Sequence, residues 1–256
     1  MKYGNPTLFC APVPLKTKHN TLKALILPVL FASLLFGACA KEKISNIPAD
    51  TCFSQIDNPS GRTYSSDSVV AVMYAKKNCG IIPLSSKNYW VYEDSIFNDG
   101  ILASVQYDTL RFTSTYQSLS DNLIWWQANI QVGLPSMVYA NDSSLFSISE
   151  RMFTPNTIDA KKDLGLFEGD SLRYLTSFDD AAAQGRSVKM QSPVKTPAAT
   201  FNDWILYEKN ARNYRKDQVY FKPGVGVIRY TQEKAPMGTR TLKLQQVSTL
   251  VAFHFE

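Results

Sequence analysis

Histidine is almost missing from this chain: among 256 residues only His19 and His254 are histidine, and His19 sits in a segment expected to be cleaved off. With one imidazole left and Cys52 and Cys79 expected to be oxidised, a zinc site built from the usual four nitrogen and sulfur ligands is not expected. Serine catalysis would have to use His254, two residues before Glu256, and no Gly-x-Ser-x-Gly elbow accompanies it. His254 is therefore read as an exposed or hydrogen-bonded strand residue. Phosphate-cradling glycine loops and dinucleotide fingerprints are missing as well. Asp163, Glu168 and Asp170 share a polar stretch without the Asp-x-Asp-x-Asp-Gly spacing of a calcium loop, and read as solvated. No cofactor and no metal is expected.

An excess of charge of one sign is also lacking. The 27 Lys and Arg against 22 Asp and Glu give +5, but Lys2, Lys16, Lys18 and Lys23 precede residue 39 and no acid does, which leaves 23 against 22. A nucleic-acid partner is not expected, because such binding needs a charged face that releases counterions. The local basic cluster of Lys209, Arg212, Arg215, Lys216 and Lys222, interleaved with Tyr207, Tyr214 and Tyr220, reads as a solvated hairpin loop.

Long apolar runs are absent except for one. Residues 24–38 carry no charge, follow Lys16, Lys18 and Lys23, and end in Gly37-Ala38 directly before Cys39. That order is the pattern of a bacterial lipoprotein signal peptide, with Cys39 as the lipidated first residue of the mature chain. Crossing a bilayer takes about 20 apolar residues, and this run is shorter and contains Pro28. A spanning anchor and a plain signal peptide with an incidental Cys39 are the competing readings.

The expected organisation is a signal peptide over 1–38, a lipidated tether over 39–65 and one domain over 66–256. Each buried methylene of an acyl chain contributes about 0.8 kcal/mol, so two or three chains on Cys39 would hold the protein stably on a membrane. Ala40 follows the cysteine instead of the aspartate associated with inner-membrane retention, so the outer membrane is the expected site, on either face. The expected partners are that membrane and an envelope protein or glycan.

Cysteine is scarce, at four residues. With Cys10 in the leader and Cys39 lipidated, Cys52 and Cys79 form an even pair in an oxidising compartment, where a disulfide is expected. Its loop closure would contribute roughly 3–4 kcal/mol in the chain-entropy account. Two separate buried thiols are the alternative.

What is present is β-branched and aromatic residue in short runs cut by Asn, Asp, Gly and Pro. This patterning predicts a mainly β domain of antiparallel strands with at most one or two short helices. Strands are expected over 88–97, 102–107, 110–116, 123–132, 137–140 and 145–148. Residues 151–171 read as a loop. A hairpin pair is expected over 172–176 and 187–191, closed through Asp179-Asp180 and Gly185, followed by strands over 204–208, 219–221, 225–230, 242–244 and 250–255. Asp99-Gly100 predicts a tight hairpin turn and Pro223-Gly224 a type II turn. Residues 67–78 are the one helix candidate, although Val69, Val70 and Val72 suit a strand equally well. In the last strand, Val251, Phe253 and Phe255 are expected to share the apolar face.

Two motif groups carry a resemblance. Thr196-Pro197-Ala198-Ala199-Thr200-Phe201 with Gly224-Val225-Gly226-Val227-Ile228, and upstream Pro83-Leu84 with Asn88-Tyr89-Trp90-Val91-Tyr92, resemble largely uncharacterised envelope lipoproteins of the Bacteroidota type. Those proteins carry Pro-Ala-Gly-Thr-Phe, then Gly-Val-Gly-Leu-Val, after an opening Gly-Asn-x-Trp-x-Tyr. Ala199 stands where the family has glycine. The resemblance implies a single antiparallel, curved or half-barrel sheet over residues 80–250 and brings no known activity. Independently, Gly226 inside a strand is expected to leave room for a large side chain.

Aromatics and acids are the remaining candidates for chemistry. Trp125 and Trp126 are neighbours on an expected strand, so they point to opposite faces, and the outward one is a candidate for stacking on a sugar or a partner. Tyr89 and Trp90 raise the same question, against the common use of aromatics as core. Asp94, Asp108, Glu150 and Glu233 fall on strands or their ends, and sequence alone does not bring any two together. The functional expectation is a non-catalytic binding or structural envelope lipoprotein. The alternatives are glycan or lipid binding on a concave sheet face, and an envelope hydrolase using paired carboxylates.

Overall fold

The computed structural model describes residues 67–73, 80–119, 122–140, 144–148, 153–154, 157–158, 163–167, 172–178 and 181–256. The segments expected to be a signal peptide and a tether, with Cys39, Cys52 and Cys79, lie outside the described residues. The domain is mainly β, and among the described residues there is no helix. Its first strands are β1 (Asp67–Val72), β2 (Tyr89–Asn98), β3 (Ile101–Ser118), β4 (Ile124–Ala128), β5 (Met137–Ala140) and β6 (Ser144–Ile148). Then come β7 (Phe153–Thr154), β8 (Thr157–Ile158), β9 (Asp163–Phe167), β10 (Leu172–Phe178), β11 (Ala181–Met190) and β12 (Val194–Lys195). β13 (Thr200–Phe201), β14 (Trp204–Ala211), β15 (Arg215–Lys222), β16 (Gly226–Lys234) and β17 (Lys243–His254) complete the chain.

Fifteen of these strands form one curled antiparallel half-barrel sheet whose main path runs β10-β11-β14-β15-β16-β17-β2-β3-β4-β5-β6-β9, with β1, β7 and β8 pairing off it, while β12 and β13 pair only with each other. The last strand, β17, closes onto the early strand β2. β3 bridges the two halves: residues 101–111 pair with β2, whereas the later part pairs with β4 and with β1. Positive φ at Asp99 (52°) and Gly100 (85°) closes β2 onto β3 as the Asp-Gly step predicts, and Gly224 (77°) occupies the expected turn after Pro223.

Several expectations are corrected. The helix candidate begins as strand β1: Val69 is buried and paired with Ser118 while Val70 faces out, the alternation that β-branched residues favour. The expected break between 107 and 110 does not occur, because β3 changes partner without changing conformation. Residues 151–171, read as a loop, contain β7 to β9, whose backbone groups pair with each other, with β1 and with β6. Gly185 is not in a turn but within β11, opposite Tyr174. In β17 a bulge at Val251 resets the alternation, so that Leu250 and Phe253 lie on the core side.

The motifs that carried the resemblance meet inside the half-barrel. Asn88, Trp90, Tyr92 and Asp94 alternate inward along β2. The Asn88 amide donates to Pro83 O (2.7 Å), the Trp90 indole to Val225 O (2.6 Å) and the Tyr92 hydroxyl to Val227 O (2.8 Å). The pairing of β16 with β17 starts only at Arg229, so Trp90 and Tyr92 satisfy carbonyls at the start of β16 that this ladder does not reach. Gly226 (φ 113°) makes the approach possible, since a Cβ there would lie 3.3 Å from Trp90 Nε1 and 3.2 Å from Ile82. Ala199 stays outside the left-handed region, so the turn between β12 and β13 forms without glycine. Replacing Trp90 by Phe strands the buried Val225 carbonyl, with an expected loss of roughly 1–3 kcal/mol that chemical denaturation would read as a lower midpoint at unchanged slope.

The apolar part of the inner face is filled by the chain itself. Ile81, Ile82 and Leu84 pack from one segment, and Ile130, Val132 and Leu134 from the loop between β4 and β5. Gly133 in that loop (φ 69°) lies so close to β15 and β16 that a Cβ would come within 2.6 Å of the Tyr230 ring and 2.8 Å of Val219. The space left among Ile82, Trp90, Tyr92, Leu110 and their neighbours is about 20 Å³, room for one water.

Candidate functional site

Trp90 and Trp126 are buried in the main core, and Trp125 is fully buried in a second cluster with Val69, Leu123, Met137, Tyr139 and Phe146. The two neighbouring tryptophans do diverge, but neither side chain is exposed, so an open stacking platform is not what they form. Trp126 borders a groove of about 630 Å³ that also touches Val72, Ser86, Lys87, Thr115 and Glu256. Tyr89 is half-buried and flanked by two cross-strand neighbours, His254 stacked at 5.5 Å and the Arg111 guanidinium at 4.6 Å. His254 is thus the exposed strand residue that its sequence position predicts.

The unusual feature is the fourth inward position of β2. Asp94 follows Asn88, Trp90 and Tyr92 on the same face, yet it is a carboxyl with 4% exposure. Register places Gln106 of β3 and Ser248 of β17 directly opposite it, and Asp108 opposite Tyr92. Asp94 is in hydrogen-bonding contact with Ser248, Gln246 and Asp108, while its Oδ1 has no partner. Gln246 donates to Ser248 Oγ (3.0 Å), and Gln106 donates to Asp108 Oδ2 (3.0 Å).

Burial pushes the Asp94 carboxyl above its ordinary value. Hydrogen bonds from Ser248 and Gln246 pull it back in part, and the hydrogen bond to Asp108 and the charge there raise it again. Asp94 therefore gives up its proton less readily in the folded state than an ordinary aspartate does, with burial as the main cause and contact with Asp108 as a further one. The neighbouring Tyr92 hydroxyl is pushed up as well, by its own burial first and by Asp94 second.

A second polar group adjoins the first, because Tyr230 lies opposite Ser248 on the next strand. Arg215 grips Asp217 with both nitrogens (2.9 and 2.6 Å), its guanidinium lies 4.6 Å from the Phe178 ring centre, and Asp217 itself is buried. Gln232 donates to the Tyr230 hydroxyl (2.8 Å), which is pushed up by burial and then by Asp217, with Arg215 acting in the opposite direction. The Gly133 loop abuts the Tyr230 ring. The inner face therefore grades from an apolar core, through the loop that plugs it, to a polar layer carrying the Asp94–Asp108 contact and the Arg215–Asp217 ion pair.

Direct contact between Asp94 and Asp108 leaves no room for a sugar ring between them, unlike glycosidase carboxylates, which stand about 5 Å or more apart. Neither of the two cavities described above is lined by the pair. No cluster of three His, Cys, Asp or Glu suited to a metal occurs among the described residues. Both acids are visible in the sequence, but their meeting is not, and the one usable signal is the inward phase of Asp94 behind Asn88, Trp90 and Tyr92. No family model, no curated protein and no solved structure matches the chain.

Proposed function

We propose that this protein is an extracytoplasmic lipoprotein, held in the cell envelope by acyl chains on Cys39, with a β domain that serves a non-catalytic binding or structural role. The observation that carries the reading is the uncharged run over 24–38, with lysines before it and Gly37-Ala38-Cys39 at its end. The resemblance to envelope lipoproteins of the Bacteroidota type supports it through motifs whose residues, Asn88, Trp90, Tyr92 and Gly226, make structural contacts with one another's strands. An outer-membrane location and a Cys52–Cys79 disulfide belong to the same reading.

Of the alternatives, binding of a long acyl chain along the inner face is disfavoured by a core that leaves only about 20 Å³. The hydrolase reading gains a carboxyl pair, Asp94 with Asp108, but no accompanying cleft. Radiolabelled palmitate fed to the native cells is expected to appear on the protein and to vanish with Cys39→Ala. Label that persists in that variant would remove the anchoring proposal.

A further inference from the structure

Three hairpins that follow one another across the sheet turn at the same end of the half-barrel: β14/β15 at 212–214, β16/β17 at 235–242 and β2/β3 at Asp99-Gly100. Successive tips are two strands apart, or about 10 Å. Their side chains divide into two kinds. Ile101 is 75% exposed, Leu102 54%, and Met237 is fully exposed, although nothing in a turn requires an apolar residue there. Around them stand four exposed bases, Arg212, Lys234, Arg240 and Lys243, against the single exposed acid Asp99.

We infer that this row of tips is a docking surface for an anionic phospholipid bilayer. Apolar side chains on two of the tips, with exposed bases on the Arg212 tip and around the Met237 tip, suit a surface whose outer layer is negative and whose interior is hydrocarbon. A protein partner would call for a continuous face with shape complementarity, whereas these three tips are separate points in a row. The rigid β ladders behind them hold the points in place. The charge balance is local, since the expected mature chain carries 23 bases against 22 acids and most are dispersed. The surface stands independently of the proposed lipidation. Cys39 lies 28 residues before Asp67, a stretch that extends to at most roughly 95 Å, so an anchor there leaves these tips free to reach the same bilayer.

The test uses the full chain carrying Cys39→Ala, so that acylation plays no part. Amide exchange is followed at residues 98–102 and 235–242 with phosphatidylcholine vesicles, with and without phosphatidylglycerol. The expected result is slowed exchange at both tips on the phosphatidylglycerol vesicles alone, relieved by salt. Arg240→Glu with Lys243→Glu is expected to weaken that binding by roughly 25-fold, at about fivefold for each base lost near an anionic surface. Ile101→Ser with Leu102→Ser and Met237→Ser is expected to abolish the tip protection while circular dichroism stays unchanged. Tips that exchange at the same rate with and without anionic vesicles, or charge-reversed tips protected like the parent, would overturn the inference. Neither outcome touches the palmitate result, so the two proposals fail separately.

Discussion

Asp94→Asn is expected to make the protein more stable at neutral pH, which few changes at a buried polar residue do. The asparagine keeps the volume and can still accept from Ser248, but it removes a charge that the folded state tolerates poorly. A gain of about 1–2 kcal/mol at pH 7 is the expected size. It would appear as a rise in Tm of roughly 2–8 °C for a domain of this length. The pH dependence gives the stronger signature. Asp94 holds its proton in the folded state to a higher pH than the 3.8 of an ordinary aspartate, so above 3.8 the folded state binds more protons than the unfolded one. This group's contribution is therefore fully present below the unfolded value and is lost as pH rises through the folded value. Parent and variant should converge in stability near pH 4 and diverge toward neutrality. Thermal melts of both across that range check it, and a variant that is equally destabilised at both ends would contradict it.

Asp94 is thus a position that costs the fold stability as pH rises. The rest of the inward row has a plain structural use. Asn88, Trp90 and Tyr92 each donate to a backbone carbonyl, of Pro83, Val225 and Val227 in turn, whereas Asp94 satisfies none and leaves one of its own oxygens unpaired.

Gly133→Ala is expected to be the most damaging small substitution in the domain. Two costs coincide there: φ of 69°, which disfavours any Cβ, and a ring carbon of Tyr230 at 2.6 Å from where that Cβ would be. Overpacking and backbone strain together give about 2–4 kcal/mol. Gly238→Ala is the matched control, with φ of 79° and nothing within 4 Å, and should lose only about 1 kcal/mol. Urea midpoints for the two variants separate the costs. Equal losses would mean that the loop between β4 and β5 does not plug the inner face.

The strand composition of the domain was legible because β-branched and aromatic runs are local signals, and the Asp99-Gly100 turn because positive φ has few takers. The site was not legible, and the reason is a single residue. A plain two-residue hairpin would set Tyr92 against Tyr107 and leave Asp108 across from Val91, on the outer face. The observed register shifts after Phe97 and Leu102, so that Ala103 bulges out, Tyr92 faces Asp108 and both acids turn inward. The bulge at Val251 does the same for Ser248 and Leu250, which the simple alternation of Phe255, Phe253 and Val251 would have turned outward. Bulges depend on closure of the sheet around its core, which no short window of sequence reports. The tryptophans went the other way: their opposed directions were readable at Trp125-Trp126, but the burial of both faces depends on a second cluster assembled from β1, β4, β5 and β6.

The raised Asp94 carboxyl is the claim on which the account of the site turns, and titration of its side chain by carbon-13 chemical shift tests it most directly. A midpoint clearly above 3.8, moving down toward that value in Asp108→Asn, is the expected result. A midpoint at or below the ordinary aspartate value, unmoved by that substitution, would contradict the account of Asp94 as a buried carboxyl raised in part by Asp108.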